Sequence, residues 1–278
     1  MPKKLLIIGC GDIGFRLGQE LQEYKVTGLR RSPSSANEAL SLRQCDGTDI
    51  DALSAILAEG FDAIVATYTP GAASEQAYQS SYVAGAKALL AALGKSGQSL
   101  EKLIWVSSSR VYGQEQGAWV DEFSPTEPKG YAGIALLAAE RILAEADVPL
   151  SVVRFSGIYG PGRDRLLKSV KAGDGGTEAY SNRIHIDDCV GFLAHLLRSE
   201  KSLEPLYLAS DCEPVKQTDI RRWLAEQMKV PLPFAEKAAL TPLRGSKRCD
   251  NSGMLASAYV MKYPSFREGY QAVLQDLE

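Results

Sequence analysis

The first candidate for chemistry is a glycine-rich segment near the start of the chain, Gly9-Cys10-Gly11-Asp12-Ile13-Gly14. Its spacing fits G-x-G-x-x-G, and it lies between an apolar run at 5–8, typical of a buried parallel strand, and a helix predicted over about 12–23. There the first glycine permits a tight turn, the second lets backbone N–H groups approach a pyrophosphate, and the third lets the helix pack on the strand. A helix N-terminus also favours an anion, because its N–H groups are free. The segment predicts a dinucleotide site made of Gly9, Gly11, Asp12, Ile13 and Gly14; a glycine turn without a ligand is the alternative.

The end of the second predicted strand indicates which dinucleotide is preferred. In this kind of site a carboxylate after that strand accepts from the ribose 2′-hydroxyl of NAD, whereas an arginine accommodates the 2′-phosphate of NADP. The strand predicted over 26–29 runs into Arg30 and Arg31. A guanidinium can donate two parallel hydrogen bonds to a phosphate, so we expect NADP to bind more tightly than NAD. Two solvated arginines are the alternative. Asp46, which follows the third predicted strand, is placed to face the adenine amino group.

Four later segments carry further chemistry. They are Val106-Ser-Ser-Ser-Arg-Val-Tyr-Gly113, the helix predicted from Tyr131, Arg154-Phe-Ser-Gly-Ile-Tyr-Gly-Pro-Gly162 and Ile184-His-Ile-Asp-Asp188. Together with the glycine loop they resemble the extended short-chain dehydrogenase/reductases, the NAD(P)-dependent epimerase/dehydratase family. The resemblance spans Lys4 to about Tyr270. It implies a Rossmann domain that binds NADP or NAD, and a smaller lobe that binds a small-molecule substrate such as a nucleotide sugar.

The resemblance also implies which residues are catalytic. Ser108 matches the serine that hydrogen-bonds the substrate oxygen, and Tyr131 matches the proton-transferring tyrosine of Y-x-x-x-K. The lysine of that motif is Ala135 here. A phenol with an ordinary pKa of about 10 is a poor base near pH 7, and a lysine one helical turn away would lie on the same face to assist it. Acid–base catalysis typically raises the rate 10²- to 10⁴-fold. Part of that increase therefore depends on a cation from another position, for which Arg110 and Lys129 are the nearby candidates.

For the other polar residues the sequence gives weaker evidence of a function. His185 and His195 are predicted to be packed structural histidines. A local excess of basic residues suits a substrate diphosphate or a solvated surface equally well, and comprises Arg163, Arg165, Lys168, Lys171 and Arg183. In sugar-nucleotide enzymes of the family, a phosphate-binding arginine stands four residues before the matched histidine. That position is Ser181 here, so sugar-nucleotide binding is not secured by this motif.

The elements that must position these residues alternate between strand and helix. Strands are predicted near 61–67, 103–106 and 152–155, and helices near 34–42, 74–93 and 131–145. This alternation predicts an α/β fold, a Rossmann-type doubly wound parallel sheet with helices on both faces. A smaller C-terminal substrate lobe follows. The predicted division is 1–155 plus about 183–208 for the nucleotide-binding domain, and about 156–182 and 209–278 for the lobe.

Composition excludes several classes of protein. The chain has 278 residues, 45% of them hydrophobic and 23% charged, with a formal net charge of −3. This charge argues against a nucleic-acid partner, and no run approaches the roughly 18 apolar residues of a membrane span. The apolar run at the N-terminus is too short for a signal peptide. The five cysteines are widely spread, which indicates reduced thiols, no metal site and a cytoplasmic location.

Two functions from different classes remain. The first is an NAD(P)-dependent epimerase/dehydratase-like oxidoreductase acting on a nucleotide sugar or a related small alcohol or carbonyl. The second is an NADP-binding sensor or scaffold without redox turnover, which the missing lysine favours. A homodimer is also expected, because the helices at 74–93 and 131–145 commonly pair across a dimer in this family. Their alanine-rich faces permit close approach, and packing inside one chain explains them equally well.

Overall fold

A seven-stranded sheet forms the centre of the first part of the chain. The computed structural model describes residues 1–32, 40–97, 99–231 and 245–276. Its strands are β1 (Lys4–Ile8), β2 (Lys25–Arg30), β3 (Ser41–Gln44), β4 (Ala63–Ala66), β5 (Lys102–Ser108), β7 (Leu150–Phe155) and β11 (Leu206–Ala209). They lie side by side in the order β11-β7-β5-β4-β1-β2-β3. β1 pairs in parallel with β2 and with β4, as the predicted doubly wound Rossmann-type sheet requires. The predicted fold class is confirmed.

Helices connect these strands. They are α1 (Asp12–Glu20), α2 (Ile50–Leu57), α3 (Glu75–Tyr78), α4 (Ala84–Ser96), α5 (Tyr131–Ala144) and α7 (Ile186–Arg198). A π-helical turn, Gln79–Val83, joins α3 to α4, and a 3₁₀ turn, Ser109–Val111, follows β5. The long helix predicted over 74–93 is therefore interrupted by a wider turn.

The helix predicted over 34–42 is wrong at its C-terminal end. Residues 33–39 lie outside the described residues, but Ser41 and Leu42 belong to β3 and pair in parallel with Thr27 and Gly28 of β2. Pairing along the edge of the sheet outweighs the weak local helix pattern, because alternate residues of β3 gain backbone hydrogen bonds to β2.

The core of this sheet is formed by strands that are buried on both faces. Leu6, Ile8, Leu103 and Trp105 are fully buried and belong to one apolar cluster with residues of α2, α4 and α5. Burying each such side chain stabilises the fold by roughly 1.5–3 kcal/mol. This explains why the strands read as continuous apolar runs, and it fixes the strand ends from which the loops project.

The chain divides into two compact units. The first comprises 1–111, 128–154 and 190–207, and the second comprises 112–127, 155–189 and 208–278. The predicted division differs at 112–127 and 183–189, which it assigned to the nucleotide-binding domain.

The second unit contains short two-stranded pairs and its own apolar core. Its strands are β6 (Ala118–Val120), β8 (Gly157–Tyr159), β9 (Tyr180–Ser181), β10 (Arg183–His185), β12 (Val215–Lys216) and β13 (Lys247–Cys249). Its helices are α6 (Arg165–Lys171), α8 (Gln217–Met228), α9 (Ser252–Ala256) and α10 (Phe266–Gln275). The core packs Tyr159, Phe266 and Tyr270 together with apolar side chains of α6 and α8. Across both units, no helix within the described residues combines the length and apolar character needed to cross a membrane.

Candidate functional site

A cavity of about 400 Å³ lies in the first unit where β1, β2 and β4 end. It includes five of the residues predicted to bind a cofactor: Gly9, Gly11, Arg30, Arg31 and Asp46. The other lining residues are Cys10, Leu29, Ser32, Cys45, Gly47, Thr48, Tyr68, Thr69, Ser80 and Ser81. The structure thus brings the glycine loop together with the end of β2, although about 20 residues separate them in sequence.

Gly9 makes the tight turn that opens this cavity. Its φ is +79°, a left-handed conformation that side chains disfavour, and a Cβ there would lie 2.9 Å from the Thr67 carbonyl oxygen. The Thr67 hydroxyl donates to the Gly9 carbonyl oxygen at 2.9 Å, which fixes the turn against the end of β4. A Cβ on Gly11 would meet only the Gly9 carbonyl oxygen, at 3.8 Å. Open space beside Gly11 is the cradle that close approach of a pyrophosphate requires, so these residues fit a dinucleotide.

The N-terminus of α1 follows directly. No side chain among the described residues caps it, and its N-cap residue is Gly11. Gly14 lies against β1, where a Cβ would be 2.8 Å from Ile7 Cγ2, so only glycine allows this packing distance. The Asp12 carboxylate accepts from Arg16 Nε at 2.7 Å. Helix N-terminal N–H groups and their partial positive charge are therefore presented next to the glycine turn.

The far end of the cavity carries the two arginines and Asp46. The Arg31 carbonyl accepts from Gln44 Nε2 at 3.1 Å, which ties the end of β2 to β3. The Asp46 carboxylate accepts from the Thr48 backbone N–H at 3.0 Å and from the Thr48 hydroxyl at 2.8 Å. One oxygen of Asp46 is thus engaged in its own turn. The cavity joins a cationic end to an anion-binding helix terminus, a combination that suits a ligand with two separated phosphate groups.

Tyr68 forms one wall of the cavity and was not found from the sequence. Its hydroxyl donates to the Gly47 carbonyl oxygen at 2.8 Å, and its ring packs against Trp105 at 5.2 Å between centroids. Burial raises the pKa of the Tyr68 phenol above its ordinary value, so it remains a hydrogen-bond donor. A Cβ on Gly47 or on Gly85 would lie 2.8 Å from this side chain, so both glycines are required to admit the ring.

Ser80 and Ser81 also line the cavity from the π-helical turn. The sequence predicted a regular helix there, and π turns inside helices are often found at functional sites. Nothing in the local pattern distinguished these serines from other helix residues, so no sequence signal identified them.

Ser108, the predicted substrate-orienting serine, is the last residue of β5. Its hydroxyl oxygen accepts from the Arg110 backbone N–H at 3.3 Å. The first turn of α5 packs directly on this segment, because Gly133 leaves no room for a Cβ beside the Arg110 carbonyl oxygen and a Cβ would lie 2.6 Å from Pro128 Cβ. The structure therefore places Ser108 at a strand end that contacts the helix that begins with Tyr131.

Tyr131, the predicted acid–base residue, makes contacts that were not predicted. Its hydroxyl donates to the Ala73 carbonyl oxygen at 2.8 Å, and 39% of the residue is exposed. Its ring meets Tyr78 edge-on at 5.5 Å, and Arg110 Nη1 donates to the Tyr78 hydroxyl at 3.5 Å. Ala135, at the position of the lysine, is fully buried. The cation of Arg110 thus contacts Tyr78, the ring neighbour of Tyr131, while Lys129 is exposed just before α5.

A buried charged network joins β5, α5 and β7. Glu140 accepts from the Ser107 hydroxyl at 2.5 Å and from Arg154 Nη2 at 2.6 Å. The side chains of Glu140 and Arg154 are each only 7% exposed. The sequence singled out none of these contacts, since each partner comes from a different element. The network fixes the strand end that carries Ser108 against the helix that carries Tyr131.

In the second unit, His185 is packed between rings. It lies 5.2 Å from Tyr159 and 4.2 Å from Tyr263 between centroids. Asp188 accepts from the Tyr259 hydroxyl at 3.0 Å and from the Tyr263 backbone N–H at 3.0 Å. These contacts hold the 259–263 segment against α7.

The predicted basic cluster in the second unit is partly neutralised. Lys168 pairs with Asp164 at 2.8 Å, and Arg183 Nη1 donates to the Ser181 hydroxyl at 2.9 Å. Burial lowers the pKa of the Arg183 guanidinium. The ion pair with Asp164 thus offsets one positive charge of the cluster, whereas the bond of Arg183 to the neutral Ser181 hydroxyl offsets none.

Solved structures resemble the whole chain. A candidate NAD-dependent epimerase/dehydratase from Methylobacillus flagellatus is 36% identical over 100% of this chain and 99% of that one, with a TM-score of 0.86. A conserved protein of unknown function from Silicibacter pomeroyi is 27% identical over 99% of both chains, with a TM-score of 0.73. A UDP-glucuronic acid 4-epimerase from Bacillus cereus, in complex with UDP-glucuronic acid and NAD, shares the fold. It is 22% identical over 99% of this chain and 100% of that one, with a TM-score of 0.81.

Sequence comparisons identify the family. A search of curated proteins found no match. The family model of the NAD dependent epimerase/dehydratase family matches residues 5–205, which include the glycine loop, β5 and α5. The resemblance inferred from the motifs is confirmed, and the chain belongs to the NAD-dependent epimerase/dehydratase family.

Proposed function

We propose that this protein is an NADP(H)-dependent oxidoreductase of the epimerase/dehydratase type, acting on a nucleotide sugar or a related small alcohol or carbonyl. The observation that carries the proposal is the cavity that joins the Gly9–Gly14 loop to Arg30 and Arg31. A diphosphate at the α1 N-terminus and a 2′-phosphate at the two arginines match its two cationic ends.

The preference for NADP follows from the end of β2. Structural neighbours have been solved with NAD, among them the B. cereus epimerase. Here Arg30 and Arg31 line the cavity, and the nearest lining carboxylate, Asp46, is engaged by Thr48. A hydrogen bond to a charged group contributes about 1.5–3 kcal/mol to binding. A guanidinium bonded to the 2′-phosphate would therefore strengthen the binding of NADP but not that of NAD, which lacks this phosphate.

Ser108 and Tyr131 are proposed to act on the substrate oxygen. When bound, the nicotinamide supplies the hydride acceptor or donor. Ser108 would orient the oxygen, and Tyr131 would move its proton after releasing the Ala73 carbonyl oxygen. Because position 135 carries no cation, we expect this proton transfer to be slower than with a lysine there.

The cofactor assignment is tested by titrating NADPH and NADH into the wild type and the Arg31→Ala variant. We expect the wild type to prefer NADPH, and the variant to lose about 10- to 100-fold in NADPH affinity with little change for NADH. Arg43→Ala is the matched control, because Arg43 lies on neighbouring β3 and pairs with Glu59 at the surface. Tighter NADH binding by the wild type would contradict the assignment.

A second function is favoured by two observations together. Ala135 supplies no charge, and the Tyr131 hydroxyl is bonded to Ala73. A protein that binds NADP without redox turnover, serving as a sensor or scaffold, agrees with both. The measurement that separates the two functions is deuterium transfer in both directions, from C4-deuterated NADPH to carbonyls and keto sugar nucleotides, and from carbon-deuterated alcohols and sugar nucleotides to NADP⁺. Transfer that is lost in Tyr131→Phe supports the enzyme, and tight NADPH binding without any transfer supports the sensor.

A further inference from the structure

In the first unit, an exposed cation, Arg110, lies beside the serine that is proposed to orient the substrate, and the proposed function assigns it no contact. Arg110 is the middle residue of the 3₁₀ turn Ser109–Val111. Ser109 and Val111 are buried, whereas Arg110 is exposed. Arg110 is not among the described residues that line the cofactor cavity. Its charge is therefore not placed at either of the two phosphate positions proposed for that cavity.

The backbone of Arg110 is fixed relative to Ser108. The Ser108 hydroxyl oxygen accepts from the Arg110 backbone N–H at 3.3 Å. On the other side, the first turn of α5 packs against the Arg110 carbonyl oxygen, because Gly133 has no Cβ there. All of these residues belong to the first unit. A substitution at position 110 can keep both backbone contacts, so it changes the side chain without removing the hydrogen bond to Ser108.

The side chain of Arg110 extends to a cluster of three tyrosines. Its Nη1 donates to the Tyr78 hydroxyl at 3.5 Å. The Tyr78 ring lies 5.6 Å from that of Tyr82 and 5.5 Å from that of Tyr131 between centroids. Burial raises the pKa of the Tyr82 phenol to about 12, against a smaller opposing effect of the Arg110 charge. The guanidinium therefore lies next to the rings that surround Tyr131, the proposed acid–base residue.

The charge of Arg110 is available to a ligand. Among residues 1–32, 40–97, 99–231 and 245–276 the guanidinium forms no ion pair, and its hydrogen bond to Tyr78 is to a neutral hydroxyl. By contrast, Arg43, another arginine of the first unit, pairs with Glu59. The edge formed by Nε and Nη2 of Arg110 has no partner among the same residues. Its two parallel N–H groups match the two oxygens of a carboxylate.

We propose that Arg110 binds a carboxylate on the reacting part of the substrate, close to the oxygen that Ser108 orients. This inference rests on the proposed function, because it names the class of alcohol or carbonyl compound that the site takes. The substrate is an acid, either a sugar acid or a small hydroxy or oxo acid, and not its neutral counterpart. A neutral substrate would leave the guanidinium uncompensated when water is displaced from it, so Arg110 also selects against such compounds.

The test compares two pairs of compounds in which an acid is matched with its neutral counterpart. UDP-glucuronic acid and UDP-glucose are titrated calorimetrically into the full chain saturated with NADPH, which cannot oxidise them. Succinic semialdehyde and butanal are compared as substrates for NADPH oxidation. We expect the wild type to prefer the acid in at least one pair by about 10-fold or more, the contribution of a hydrogen bond to a charged group. Arg110→Met should abolish this preference, whereas Arg110→Lys, which keeps the charge but not the planar fork, should retain part of it.

Arg141→Met is the matched control, because Arg141 is an exposed arginine in the last turn of α5, at the opposite end of the helix from Tyr131. It should keep the preference for the acid. The proposal is overturned if the wild type shows no preference for the acid in either pair or responds to neither acid. An unchanged preference in Arg110→Met, or an equal loss in Arg141→Met, overturns it as well.

Failure of the proposed function gives a different result. If NADPH does not bind, the cofactor assignment fails, and the two UDP sugars titrated without cofactor still measure the preference. If UDP-glucuronic acid binds better than UDP-glucose through Arg110 but no hydride transfer to or from any compound is detected, the oxidoreductase fails and the carboxylate site stands.

Discussion

At the residue scale, Cys10 lies inside the glycine loop but is shielded from solvent. It is fully buried, and its Sγ packs against Gly28, where a Cβ would lie only 2.7 Å away. Burial raises the pKa of the Cys10 thiol from 9.0 to about 11, against a smaller opposing effect of Arg30. A neutral thiol there adds no negative charge to the glycine loop, where a phosphate is proposed to bind.

Cys10 therefore predicts a pH dependence of stability. An unfolded thiol ionises near 9.0, whereas the folded one keeps its proton to about 11. The contribution is present below pH 9 and is lost as the pH rises towards 11, because ionisation then favours the unfolded chain. We expect the free energy of unfolding of the wild type, relative to Cys10→Ala, to be constant up to about pH 8 and to fall above pH 9. Urea unfolding at a series of pH values measures it, and a flat difference would contradict the assignment.

Single residues also show what a sequence can reveal about a site. Arg30 and Arg31 could be singled out from the sequence because strand ends and the glycine motif are local signals, and both line the cavity. Tyr68 and Ser81 also line the cavity and were not predicted, since the position of Tyr68 depends on packing against Trp105 and that of Ser81 on a π turn. The hydrogen bond of Tyr131 to Ala73 likewise joins residues 58 positions apart.

At the scale of elements, apolar runs predicted the buried strands, and helical periodicity predicted α1 and α5. A third strand before Asp46 was predicted, but residues 41–42 of edge strand β3 were assigned to the preceding helix, because the strand is only partly buried and lacks a continuous apolar run. The side-chain contacts between elements could not be predicted from the sequence either. The pair between Glu140 on α5 and Arg154 on β7 is invisible until the two elements are packed side by side.

This pair predicts a large and asymmetric effect on stability. Glu140→Ala removes the carboxylate that the Arg154 guanidinium contacts in the interior, and breaking a buried pair typically costs about 3–5 kcal/mol. Replacing both residues, as in Glu140→Leu with Arg154→Met, removes both charges and should recover much of that loss. Guanidinium chloride unfolding of the three proteins measures the difference. The exposed pair of Lys95 and Asp51 is the control, and Lys95→Ala should leave the stability nearly unchanged, because solvent screens this pair. A double variant as unstable as the single one would contradict this account.

For the whole molecule, the alanine-rich faces of α4 and α5 are mostly packed inside one chain. Of the alanines predicted to permit close approach, Ala86, Ala88, Ala135 and Ala139 are buried, whereas Ala84 and Ala138 are partly exposed. α5 exposes two large hydrophobic side chains, Tyr131 at 39% and Ile134 at 48%. Association of two copies through the face of α5 that carries Ile134 would bury this side chain.

The expected homodimer can be tested on this side chain. In a two-fold dimer the same surface of both subunits is buried, so both copies of Ile134 leave solvent. Burying each isoleucine side chain contributes roughly 1.5–3 kcal/mol to the free energy of association. We expect the wild type to sediment as a dimer at micromolar concentration and Ile134→Glu to sediment as a monomer, because a carboxylate in an apolar contact loses its hydration. Phe123→Glu, on a segment of the second unit, is the matched control and should remain dimeric. Sedimentation velocity that shows a wild-type monomer, or a dimer in Ile134→Glu, would exclude association through this face of α5.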